Sequence, residues 1–241
     1  MTSVCMAAYN GETYIKEQLS SILNQLTNED EVIISDDGST DSTINIIKSF
    51  NDERVKILHN KQTKEGKSKH QIVTANFENS LKNAKGDYIF LADQDDVWKE
   101  DKVKISLSYL EKADMVCSNY DVIDNKNSII KHSFYKDNPI STLFIKNIIK
   151  MPFHGCCMAF KKDVLNFALP FSVNLPLHDN WIGILCSINK NYKISYIEEP
   201  LVLYRQHSDN VSGISTNSFF YKVFYRLIFS MQVFKRFLKH K

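Results

Sequence analysis

The chain has 241 residues, of which 43% are hydrophobic and 24% charged, and its formal net charge is +2. These values exclude wholesale disorder or a fibre and leave room for one large domain, or two fused halves, around a sizeable core. So small a charge also excludes nucleic-acid binding by overall charge. The basic residues are unevenly placed, because 222–241 carry Lys222, Arg226, Lys235, Arg236, Lys239 and Lys241 with no acid, which leaves the preceding body acidic.

In chain order, Thr2–Ala8 reads as a buried strand that stops at the turn signal Tyr9-Asn10-Gly11. From Glu12 to Leu26, Ile15, Leu19, Ile22 and Leu26 recur with helical period. Glu31–Ser35 is a second strand, ending at Asp36-Asp37-Gly38, and Thr40-Asp41-Ser42 opens a helix with Ile44, Ile47 and Phe50 inward. Arg54–His59 is a third strand, Asn60–His70 a polar loop, and Gln71–Ala84 a helix. Asp87–Ala92 is a fourth strand, stopped by Asp93-Gln94-Asp95-Asp96. Glu100–Lys112 reads as helix, and Asp114–Ser118 as a fifth strand. Beyond residue 119 the rhythm loosens. His154–Phe160 and Tyr192–Tyr204 read as strands, and Asp179–Asn189 as a helix opened by Pro176-Leu177-His178.

This alternation predicts an α/β fold around a mostly parallel sheet flanked by helices. Ligands of such sheets bind at the carboxyl ends of the strands. The polar stops after the first, second and fourth strands are therefore expected to share one crevice. Carboxylates one residue apart suit a hard divalent cation with oxygen ligands, which removes their mutual repulsion. Asp-x-Asp alone equally suits a solvated turn or a helix cap, with Asp96 or Glu100 as the helix-start acid. With seven glycines and neither Gly-x-Gly-x-x-Gly nor Gly-x4-Gly-Lys-Ser/Thr, the chain is not a dinucleotide dehydrogenase or a P-loop NTPase. Cys5, Cys117, Cys156, Cys157 and Cys186 form no Cys-x-x-Cys pair and read as reduced core thiols. The first residues carry no signal-peptide pattern.

Five sequences, in order, carry a resemblance: Ala7-Ala8-Tyr9-Asn10-Gly11, Ser35 to Asp41, Gly86 to Trp98, His178-Asp179-Asn180-Trp181 and Leu203-Tyr204-Arg205-Gln206-His207. Over residues 2–212 the chain resembles the family 2 glycosyltransferases, inverting enzymes of the GT-A fold, and most of all their bacterial rhamnosyltransferase-like branch, which builds capsule, O-antigen or cell-wall polysaccharide. The resemblance implies a nucleotide-sugar-binding half at 1–119 and an acceptor and catalytic half of the same domain at 120–212, and the residues beyond it, 213–241, read as a basic amphipathic helical tail. It implies that Tyr9 and the backbone at Ala7 flank the nucleotide base, that Asp37 binds the pyrimidine N–H, and that Asp93, with Gln94 beside it, faces the ribose. It places Asp95 on Mg²⁺ or Mn²⁺, with His207 approaching the metal or diphosphate, and Asp179 at the catalytic base. Ala7-Ala8 departs from the proline or hydroxyl residue that many members have before the tyrosine.

Inversion requires one in-line displacement in which the acceptor hydroxyl loses its proton, and a carboxylate at a helix start suits that task. Arg205 is expected at the diphosphate. Trp98 and Trp181 are expected either to stack on sugar rings or to fill the core. The tail, aromatic and basic, fits a helix lying in a membrane interface or one packed on protein. The expected protein is a cytoplasmic enzyme, peripheral on the inner face of the membrane, with a nucleotide-sugar donor and a glycan or lipid-linked acceptor. The competing readings are a nucleotidyltransferase and a nucleotide-sugar-binding protein without turnover.

Overall fold

Apolar residues alternate between two cores along each of the first strands. In β1 (Thr2–Ala8), Val4, Met6 and Ala8 enter one cluster and Cys5 the other. In β2 (Glu31–Asp36), Val32 and Ile34 face the first and Ile33 the second. Strands buried on both faces are expected where helices cover both sides of a parallel sheet. The computed structural model describes residues 1–61, 64–133, 135, 139–141, 143–172, 175, 177–207 and 219–239, without the side chains of 219–222.

Helix α1 (Ile15–Leu23) buries Ile15, Leu19 and Ile22, shorter at both ends than the sequence periodicity suggests. Next come α2 (Thr43–Ser49), β3 (Val55–His59), α3 (Lys69–Asn83), β4 (Tyr88–Asp93), the two-residue β5 (Val97–Trp98) and α4 (Lys102–Leu110). Strand β6 (Met115–Ile123) continues five residues past the expected end and runs through residue 119 without a break. Then follow β7 (Ile129–Lys131), α5 (Phe144–Lys150), a 3-10 turn at Gly155–Cys157, β8 (Met158–Lys161), α6 (Asp163–Ala168), α7 (His178–Ile188), β9 (Ile194–Arg205) and α8 (Phe219–Lys239). Pro176, the expected opener of α7, lies outside the described residues, as do residues 208–218, 240 and 241.

The sheet order is β3-β2-β1-β4-β8-β6-β9-β5, with β7 on β6. Pairing is parallel from β3 through β4 and again between β6 and β9. The strands β8, β5 and β7 pair antiparallel. One core, with α1, α2 and α4, covers one face; the other, with α3, α6 and α7, covers the opposite face. Phe229 and Val233 of α8 join that second core, and the Phe229 ring meets Trp181 edge-on at 6.2 Å. The tail thus packs on the body through one face. No helix among the described residues is long and apolar enough to cross a membrane. All five cysteines are free and buried, as expected of core thiols.

Glu31 ties the edge of the sheet together. Its carboxylate accepts from Ser3 Oγ (2.6 Å), Lys56 Nζ (2.6 Å) and Lys85 N (2.7 Å), joining β1, β3 and the approach to β4. Burial alone raises its pKa, but the hydrogen bonds from Lys56, Ser3 and Lys85 outweigh burial and hold it below the usual range. A depressed carboxyl stabilises the fold above its unfolded pKa and loses that contribution as pH falls through the folded value. Glu31→Gln should therefore lower unfolding free energy by about 2 kcal/mol at neutral pH, and the deficit should shrink as urea titrations are repeated at progressively more acid pH. A variant as stable as the parent at neutral pH would contradict this role.

Candidate active site

The register of three parallel strands brings the polar stops together. Ala8 lies opposite Asp36 on β2, and Ala7 lies opposite Asp93 on β4. Asp37 N donates to Ala8 O at 2.9 Å, which fixes the second stop against the first. Asp37 is buried, and its carboxylate accepts from Asn60 Nδ2 (3.1 Å) and Lys64 Nζ (2.9 Å). Lys64 Nζ also lies 4.7 Å from the centre of the exposed Tyr9 ring. The polar loop after β3 thus supplies two donors to Asp37, contacts for which the sequence has no local signal.

Gln94 joins the first stop to the third. Tyr9 N donates to Gln94 Oε1 and Gln94 Nε2 donates to Tyr9 O, both at 2.9 Å. Gln94 is thus held on the Tyr9 backbone. Gly11 makes room for it, since a Cβ there would lie 2.4 Å from Gln94 Oε1.

The acidic turn rests on a buried guanidinium. Arg205, expected at the diphosphate, is 1% exposed. Its Nε donates to Asp95 O, its NH1 to Asp124 O and Asn127, and its NH2 pairs with Glu17 at 2.8 Å. The backbone N of Arg205 donates to Asp96 Oδ1 at 2.9 Å. Asp96 is fully buried and forms the floor of the turn, not a helix start. Burial, then the charges of Asp95 and Asp93, pushes its pKa well up. Asp93 is pushed up to about 8, by burial first and then by Asp95 and Asp179.

A divalent cation fits this turn. His207 Nε2 and Asp95 Oδ2 are 2.9 Å apart, and the Tyr14 ring lies tilted against the imidazole with centroids 5.0 Å apart. Adjacent oxygen and nitrogen ligands of an octahedral ion bound at about 2.1 Å are themselves about 3 Å apart. A cation would also relieve the like charges that raise Asp93. Asp93, Asp96 and Cys156 place ligand atoms within 4.8 Å of one another. That group suits a hard ion less well, because Asp96 and Cys156 are buried and the hydrogen bond with Cys157, then burial and neighbouring charge, keep the thiol protonated.

Asp179 reaches the same crevice from the other half of the chain. It stands in the first turn of α7, where its Oδ1 accepts from Asn180 N (2.7 Å) and Asn180 Nδ2 (3.2 Å). A side chain on Gly155 would meet His178 Nε2 at 3.2 Å and Asp179 Cβ at 3.7 Å. Gly155 therefore lets α7 close on the turn that carries Cys156, which neighbours Asp93 and Asp96. Burial lowers the pKa of His70, His154 and His178, and the charge of Asp179 acts on all three in the opposite sense. The spacing of these histidines in the sequence gave no warning that they surround Asp179.

The tryptophans are core residues and offer no face to a sugar. Trp98 is 3% exposed, packed on Phe90 and beneath Lys102 Nζ. Trp181 is 0% exposed and donates to Ala168 O.

Residues 3–167 match the family described as Glycosyl transferase family 2. The chain is 32% identical to the dTDP-rhamnosyl transferase RfbG of Shigella flexneri over 220 residues, covering 86% of this chain and 73% of that protein. It is 29% identical to the UDP-Glc:alpha-D-GlcNAc-diphosphoundecaprenol beta-1,3-glucosyltransferase WfgD of Escherichia coli, covering 91% and 81%. In fold it is similar to residues 1–349 of TarS from S. aureus in complex with UDP-GlcNAc, with a TM-score of 0.68 at 19% identity. That match covers 95% of this chain and 66% of the solved one, so the chain spans just under two thirds of its length.

Gly11→Ala should displace the Gln94 amide from Tyr9 and weaken binding of a nucleoside diphosphate by roughly tenfold, the worth of about one hydrogen bond. Titration calorimetry reads the affinity, and unchanged binding would show that the Tyr9–Gln94 pairing does not shape the nucleotide seat.

Proposed function

The chain belongs to glycosyl transferase family 2, and we propose that it is an inverting, metal-dependent enzyme that transfers rhamnose or a hexose from a dTDP- or UDP-sugar. The acceptor in this reading is a glycan carried on a lipid at the cytoplasmic face of the membrane, and the product belongs to a bacterial surface polysaccharide. The observation that carries the reading is electrostatic: Asp93 feels the charges of both Asp95 and Asp179, although Asp179 is contributed by a helix 86 residues further along. The dTDP-rhamnosyl and UDP-glucosyl activities in the names of two relatives support the donor class.

The Ala7 backbone, the Tyr9 ring and Asp37 hold the base, and Asp93 faces the ribose. Lys64 leaves the Tyr9–Asp37 seat as the base enters it. Asp95 and His207 would hold Mg²⁺ or Mn²⁺, and such an ion would supply positive charge against the charge that develops on the leaving diphosphate. Asn180 occupies Oδ1 of Asp179, while Oδ2 has no partner among the described residues. Oδ2 is the oxygen that takes the acceptor proton, from a hydroxyl within about 2.6–3.2 Å. The hydroxyl oxygen bonds to the anomeric carbon as the bond from that carbon to the diphosphate oxygen breaks. The proton passes to Asp179, and the nucleoside diphosphate leaves. A single displacement of this kind inverts the anomeric centre.

Asp179→Asn should lower transfer by roughly 10²–10⁴-fold and leave donor affinity within a few-fold. Asp95→Asn and His207→Ala should weaken nucleoside diphosphate binding in the presence of Mn²⁺ and change it little in EDTA. Release of pyrophosphate in place of the nucleoside diphosphate would identify a nucleotidyltransferase, and donor binding without any turnover a non-catalytic protein. A fully active Asp179→Asn enzyme would remove the base assignment.

A further inference from the structure

Helix α8 has a second apolar face that its packing leaves outside. Phe224, Leu227, Met231 and Leu238 point away from the core, and Ile145 and Ile149 of α5 do the same, all six between 59% and 71% exposed. The two helices meet where Arg226 Nε donates to Ile149 O at 2.7 Å, so the exposed rows adjoin. Each row has a lysine row beside it. Lys146 and Lys150 follow Ile145 and Ile149, and Lys235 and Lys239 follow Phe234 and Leu238. All four lysines are exposed. Successive helical residues are about 100° apart, which sets the cations along the flank of the apolar strip. Neither 143–162 nor 219–241 contains an aspartate or glutamate.

We propose that the α5–α8 face is a single docking surface for an anionic phospholipid bilayer, with the apolar row entering the headgroup boundary and the lysines meeting lipid phosphates. The proposal deepens, and rests on, the reading of the acceptor as lipid-linked. Charge decides the occupant. A two-fold pairing of identical faces would set lysine rows against each other, whereas an anionic surface answers them. The α8 helix is 21 residues long, but Lys222, Arg226, Lys235 and Arg236 interrupt it and it is not apolar enough for a span, so in this proposal it lies along the surface. Through Phe229 its inner side touches Trp181, two residues beyond Asp179. A docked molecule therefore holds the start of α7 one helix layer above the lipid.

The test is co-sedimentation of the full chain with phosphatidylcholine vesicles, with and without phosphatidylglycerol. The wild type should bind the phosphatidylglycerol vesicles and not the neutral ones. Met231→Glu on α8 and Ile149→Glu on α5 should each weaken binding by roughly tenfold, with donor hydrolysis in solution unchanged. Ile149→Ser, a milder change at the same exposed position, should give a smaller loss in the same direction if the glutamate lowers the melting temperature. Absence of binding to anionic vesicles would overturn the proposal, as would Ile149→Glu and Ile149→Ser both binding like wild type, or light scattering that shows a dimer dissociated by Met231→Glu. Vesicle binding without donor hydrolysis would leave the docking face standing and sink the catalytic reading, and the reverse result would do the opposite.

Discussion

Arg205 enters the interior as a full positive charge, and the acidic turn takes its shape from the groups that answer it. Glu17 of α1, the Asp124 carbonyl, Asn127 and the Asp95 carbonyl surround the guanidinium, while its backbone N–H meets Asp96. A buried cation left without these partners would cost several kcal/mol, so the five groups hold one another in place. Residues two apart in an extended chain point the same way. Burying Arg205 beneath the turn therefore sends His207, two residues on, towards Asp95. The imidazole–carboxylate pair at 2.9 Å follows from how the C-terminal end of β9 is anchored.

The same anchoring concentrates negative charge. Asp93, Asp95 and Asp96 lie within four residues, and Asp179 arrives from α7. Such a group is costly to bury and assemble with nothing to balance it, and the pKa of Asp93, raised by burial first and then by Asp95 and Asp179, records that cost. In the proposed reading a metal bound together with a diphosphate would supply the positive charge that balances the group.

Much of this was legible in the sequence. The strand–turn–helix rhythm of the first 118 residues located β1, β2, β3 and β4 to within a residue or two, because an apolar run that ends abruptly in polar residues marks a buried strand emerging into solvent. Past residue 119 the signal faded for physical reasons. The three-residue β7 and the short α5 and α6 are too brief for periodicity to register, and β6 reads through Asn119 and Asp121, whose polar side chains are buried among specific partners. The tryptophans and Arg205 were harder still. Burial of an aromatic or a guanidinium is a tertiary fact, and the neighbouring motif suggested ligand contact where packing prevailed. Lys64 and the histidines around Asp179 depend on which loops meet in space.

The Tyr9–Gln94 pairing has a consequence for any nucleotide seated here. It ties the span between the Tyr9 ring and the Asp95–His207 pair to strand registry and to two amide hydrogen bonds. A seat of fixed reach works as a gauge. In the proposed reading a monophosphate would leave the Asp95–His207 end unfilled and a triphosphate would overrun it, so discrimination by the number of phosphates would need no residue that recognises the extra group.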